Sequence, residues 1–115
     1  MRKMALFLAI ILVVSMPLSV SAAPRALSIN PTLDFNGTIA ECEVIVVGNN
    51  TSEYTEVTLK LMRGSYCVAT WNASGYGYVY MYKEAGVAKN VTYTLVAQVT
   101  VNNVASTPVS VSDKC

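Results

Sequence analysis

Chemistry in this chain would have to come from carboxylates, three cysteines or a run of tyrosines, because it contains no histidine. Without an imidazole, neither a Ser-His-Asp nor a Cys-His nucleophile can be assembled. Histidine-containing metal sites go with them. The cysteines, Cys42, Cys67 and Cys115, lack the close Cys-x-x-Cys spacing of a zinc site. No glycine-rich phosphate loop occurs, so no nucleotide cofactor is implied. Among the acids, Glu41 and Glu43 would share one face of a strand, and Glu53 and Glu56 fall in or near a loop. A catalytic carboxylate pair is conceivable, but each of these reads more simply as a solvated charge that keeps a β protein soluble. The expectation is a protein that is not an enzyme, with no catalytic residues, no metal and no cofactor.

The tyrosines are the stronger signal. Gly75-Tyr76-Gly77-Tyr78-Val79-Tyr80-Met81-Tyr82 carries a tyrosine at every second position. On a strand, alternate side chains face opposite ways, so one continuous strand would point all four phenols to one side. A small core has better use for Val79 and Met81 than for a column of phenols, which turns Tyr78, Tyr80 and Tyr82 outward. On a neighbouring strand, Cys42, Val44 and Val46 would then point in and Ile45 and Val47 out. Ile45, Val47, Tyr78, Tyr80 and Tyr82 are therefore the candidate binding face, because tyrosines combine large contact area with a polar handle.

The elements that would position this face follow an N-terminal segment of another kind. Met1-Arg2-Lys3 precedes an apolar run from Ala5 to Val14, and Ser19-Val20-Ser21-Ala22 supplies small residues. That order is the order of a secretory signal peptide. Ser15 and Pro17 interrupt the run before the 18 or so residues a membrane anchor needs. Residues 1–22 are expected to be removed by cleavage after Ala22, giving a secreted, extracellular protein with no membrane insertion after cleavage. Loss of Arg2 and Lys3 leaves six basic residues against seven acids, so a formal +1 becomes about −1. Such a balance offers no footprint for nucleic acid.

The remainder, about 90 residues, reads as one small domain in which period two is everywhere. An N-terminal segment and first strand are assigned to residues 23–36 and the main domain to 37–115. Glu41 to Val47 is β-branched and ends at Gly48-Asn49-Asn50; Glu56 to Leu61 alternates with Val57, Leu59 and Leu61 inward. Cys67 to Trp71 follows a turn at Gly64, and Asn72 to Gly75 is expected to break the chain before the tyrosines. Val91 to Val101 is the clearest strand, Asn102-Asn103 a two-residue turn, and Pro108 marks the return strand as an edge. About seven strands without a helix predict an all-β, immunoglobulin-like antiparallel β-sandwich, with a small β-barrel as the alternative. Tyr93, near the start of the penultimate strand, fits either a hydrogen bond back to the preceding loop or a plain core aromatic. Trp71 reads as a core anchor.

Several stretches resemble a family of small secreted proteins of Gram-positive gut bacteria, a domain of unknown function. They are Leu27-Ser28-Ile29-Asn30-Pro31, Cys42 opening a strand, Val57 to Ser65, Val68 to Gly75, Lys89 to Leu95, and the terminal Cys115. The family usually has glycine where this chain has Asn90, consistent with a turn needing positive φ. The resemblance implies an immunoglobulin-like sandwich and brings no activity or catalytic residues. It also implies a Cys42–Cys115 disulfide, worth about 4 kcal/mol in the chain-entropy model; spacing alone leaves Cys42–Cys67 open, and one thiol is left over either way.

Sequons occur at Asn36, Asn49, Asn50, Asn72 and Asn90, and read here as turn residues of an Asn-, Ser- and Thr-rich chain. Two functional classes emerge. One is a binding or adhesion module whose partner is a protein or glycan at a cell or host surface. The other is a structural or self-assembling extracellular protein. Membrane attack is disfavoured, because cationic amphipathic character is absent.

Overall fold

The computed structural model describes residues 28–115, so the signal-peptide reading lies outside the described residues. Eight strands form: β1 (Ser28–Asn36), β2 (Ile39–Val47), β3 (Tyr54–Arg63), β4 (Tyr66–Tyr76), β5 (Tyr78–Gly86), β6 (Thr92–Val101), β7 (Val104–Ala105) and β8 (Val109–Lys114). One sheet has the order β1-β2-β5; the other has β4-β3-β6, with β7 and β8 both pairing with β6. Every pairing is antiparallel. The two sheets pack face to face as an immunoglobulin-like sandwich, and the expected fold class stands over the barrel alternative. β1 pairs with β2 from Ser28 to Asn36, so the first strand is part of the sandwich.

The core is the set of inward rows. Val44 and Val46 of β2, Val57, Leu59 and Leu61 of β3, and Leu95, Ala97, Val99 and Val101 of β6 are buried, joined by Val79 and Met81 of β5. Burying each Val or Leu side chain contributes about 1.5–3 kcal/mol, so these rows supply the bulk of the driving force. Trp71 sits opposite Leu59 but is only partly buried, because β4 is an edge strand and leaves one flank of the indole uncovered.

Two corners fix the path of the chain between the sheets. Gly77 separates β4 from β5 at φ 74°, so the tyrosine run is not one strand. The chain does not break at Asn72-Ala73-Ser74-Gly75, which lie within β4. A side chain on Gly77 would put its Cβ 2.6 Å from the Asn50 carbonyl oxygen, closer than atoms pack. The Gly77 amide donates to the Glu53 carbonyl and its carbonyl accepts from Gly48, both at 2.9 Å. The crossover is thereby tied to the β2–β3 loop. At the other corner, the Tyr93 hydroxyl accepts a 2.9 Å hydrogen bond from the Ala88 amide. Tyr93 is itself buried, so the backward hydrogen bond and the core role coexist in one residue, as in the tyrosine corner of such sandwiches. Asn102 and Asn103 both adopt positive φ, 49° and 67°, as the tight β6–β7 turn requires.

Tyr93→Phe keeps the ring and removes the acceptor for Ala88. We expect a loss of about 1–2 kcal/mol, a fall in Tm of roughly 4–8 °C per kcal/mol for a domain of this size. Thermal circular dichroism of the variant checks it; an unchanged Tm would mean the corner bond contributes nothing.

Candidate functional site

The outer face of the β1-β2-β5 sheet is generated by parity. β2 turns Cys42, Val44 and Val46 inward and β5 turns Val79 and Met81 inward, all buried. Their alternates must face solvent. Tyr78, Tyr80 and Tyr82 do so, at 55%, 49% and 43% exposure. Register completes the rows: Tyr78 lies opposite Val47, Tyr80 opposite Ile45 and Tyr82 opposite Glu43. Ile45 is half-buried and Val47 exposed, so the five candidate residues form one continuous surface. Tyr76 is not part of it. It ends β4 in the other sheet, where its ring lies 5.3 Å from that of Tyr54.

The phenols are tied to carboxylates. The Tyr82 hydroxyl donates to Glu84 Oε2 at 2.8 Å. This bond, helped by desolvation and by the charges of Glu41 and Glu84, pushes the Tyr82 pKa up to about 12. A hydrogen bond with Glu43 is the largest cause raising the Tyr80 pKa. Both phenols are therefore neutral donors at any physiological pH. Asp34 stands opposite Glu41, and Glu41 opposite Glu84, in the row beyond Tyr82. The sequence reading places Glu41 and Glu43 on one strand face as solvated charges and does not include Asp34 and Glu84. The signal was the Gly37 turn: counting back across that hairpin sets Asp34 against Glu41.

The remaining expectations fare differently. Cys42, Cys67 and Cys115 are free thiols in this structure, so neither the Cys42–Cys115 nor the Cys42–Cys67 pairing is formed in it. Cys42 is buried in the middle of the three-stranded sheet. Cys67 is exposed on the edge strand β4 of the other sheet, 3.0 Å from the Thr70 hydroxyl. Cys115 directs its Sγ to the Gly37 carbonyl oxygen at 3.3 Å. All five sequon asparagines are exposed. Asn72 departs from the turn expectation, for it lies within β4 and its Oδ1 accepts from Thr58 at 2.8 Å. Asn90 does adopt the positive φ of a turn residue, 64°. Glu53, read as a loop charge, is buried beside Gly48. No family model matches the chain, and no curated protein matches it either.

Burial raises the Cys42 pKa to about 11, so its thiol stays protonated and shielded. Iodoacetamide should label Cys67 in the native protein while Cys42 reacts only after unfolding in denaturant, as peptide mapping by mass spectrometry will read. Labelling of Cys42 at the rate of Cys67 would contradict the packing. The Tyr82 shift has its own consequence. In the folded chain the phenol keeps its proton up to about pH 12, whereas the unfolded phenol ionises near 10. The stabilisation is full below pH 10 and lost as pH rises towards 12. Glu84→Gln removes the negative charge, and ultraviolet titration of tyrosinate should show one phenol moving back towards pH 10.

Proposed function

We propose that this is a small, secreted, non-catalytic binding or adhesion module that acts through the outer face of the β1-β2-β5 sheet. The observation that carries the reading is the column Tyr78, Tyr80, Tyr82 standing half exposed beside Ile45 and Val47. Contiguous aromatic and aliphatic surface on a small domain commonly marks an interaction site, and phenols serve protein and sugar partners alike. The signal-peptide order of residues 1–22 supports export. A protein or glycan at a cell or host surface is the fitting partner.

The alternative is self-assembly, and the edges bear on how it would proceed. β5 is an edge strand, yet Lys83 stands on its core-side alternation and is exposed. An inward-register charge of this kind discourages strand addition. Pro31 lies within the edge strand β1, where it withholds a backbone donor. Association of copies through this sheet would therefore use its face rather than its edges.

Replacing Tyr78, Tyr80 and Tyr82 together with serine separates these readings from a purely structural stripe. The cross-strand pairs contribute about 0.2–1 kcal/mol each, so the variant should still fold. We expect retention on mucus or cell-surface extracts to be lost with the melting transition largely kept. A large fall in Tm with retention unchanged would leave the stripe as structure only. A wild-type oligomer, seen by size-exclusion chromatography, that becomes monomeric in the variant would favour self-assembly.

A further inference from the structure

The tyrosine face is not electrically neutral. Four of the seven acidic residues of the chain, Asp34, Glu41, Glu43 and Glu84, lie on the outward alternation of the β1-β2-β5 sheet. No lysine or arginine shares that alternation; Lys83 is on β5 but belongs to the opposite one. The other basic residues of the described chain are Lys60 and Arg63 on β3, Lys89 before β6 and Lys114 on β8.

This distribution works against the fold. Asp34 faces Glu41 across one strand pair and Glu41 faces Glu84 across the next, and like charges placed directly opposite destabilise a sheet. A single lysine at position 41 would relieve both contacts. The tyrosines, meanwhile, occupy the rows immediately beside the acids, and the Tyr82 hydroxyl is bonded to Glu84 at 2.8 Å. Guanidinium and ammonium groups pack favourably on phenol faces. An extended peptide repeats its side chains every two residues at about 6.6–6.8 Å, the same spacing as successive rows of a sheet face.

From the charge complementarity and this spacing, we infer that the face receives an extended cationic segment of a partner protein, with arginine or lysine at alternate positions. Its charges meet Asp34, Glu41, Glu43 and Glu84 while its side-chain stems lie on Tyr80 and Tyr82. The inference rests on the binding role proposed above and narrows the partner to a basic polypeptide. A neutral glycan could hydrogen-bond to the phenols and the carboxylates, but it brings no positive charge to offset the row of acids.

The test is isothermal titration of the protein with a short peptide alternating arginine and serine, alongside the same peptide with glutamine for arginine. Binding of the arginine peptide alone is expected, weakening roughly tenfold or more when salt rises from about 0.05 M to about 0.5 M. Glu41→Gln, at the position that faces both Asp34 and Glu84, should weaken it by about threefold while raising Tm, because the like-charge contacts are gone and the Tyr82–Glu84 bond is kept. The charge-neutralised variant keeps all three tyrosines, so the two ideas fail separately. No binding of the arginine peptide, or equal binding by the variant, overturns the cationic partner. If retention on surface extracts still requires the tyrosines in that case, the binding face itself stands and its partner is neutral. Salt-sensitive dimerisation that the glutamine variant abolishes would make a second copy the occupant and would also overturn the inference.

Discussion

β2 is hydrogen-bonded on both flanks, to β1 and to β5, and packed on one side against the second sheet. That double commitment is the constraint from which the remaining features of the molecule follow. With Cys42, Val44 and Val46 buried, a one-residue slip of β2 would expose three apolar side chains and bury Glu41, Glu43 and Ile45. Two of those are charges whose burial without a partner is prohibitive. Register in the flanking strands is locked by the same argument. The outer face is thus an inevitable by-product of the core, but its composition is free. Nothing in the packing demands tyrosine rather than threonine on β5, or acids rather than lysines across β1, β2 and β5.

That division explains which features were legible in the sequence. Inward rows are dictated by period two, so Val57, Leu59 and Leu61, or Leu95 to Val101, can be read directly. So can the Asn102-Asn103 turn, because few residues tolerate two successive positive φ values. The β4–β5 crossover was less legible. Asn72 to Gly75 has the composition of a turn, yet it continues β4, held through Thr58 and Asn72. The reversal falls instead at Gly77, where the Asn50 carbonyl leaves no room for a side chain. Gly75 is equally crowded, its Cβ position 2.6 Å from the Tyr78 carbonyl oxygen, but only Gly77 takes the positive φ that reverses the chain. The cysteines were illegible for a related reason: sequence gives the strand a residue sits on, but not the depth or direction of its sulfur. Within the site, the tyrosines followed from alternation alone, whereas the acidic row required cross-strand register, which spacing along one strand does not contain.

The two outer faces differ in chemistry as much as in position. On the β4-β3-β6 sheet, Glu56, Thr58, Asn72, Ser74 and Thr100 line a shallow depression of about 370 Å³, and the Thr94 and Ser112 hydroxyls are 2.7 Å apart. This is a face whose polar groups partly satisfy one another. Hydroxyl and amide ladders of this kind stabilise a sheet locally and need no outside partner. The opposite face has its phenols bonded to acids, and among the described residues its outward rows carry no lysine or arginine beside those acids.

An exposed aromatic stripe invites indiscriminate adhesion, and the surrounding charges bear on that hazard. Acids beside the phenols make close approach of another copy's identical face repulsive, since four carboxylates would meet four. In the proposed role the same acids would leave attraction to a basic partner intact, and so act as a filter as well as a contact. Lys83 and Pro31 do the equivalent at the strand edges, where backbone groups rather than side chains would otherwise recruit neighbours. Under the proposed role, repulsion between Asp34, Glu41 and Glu84 would be the stability cost of keeping an aromatic surface selective, in the way that specificity generally rests on what an interface rejects.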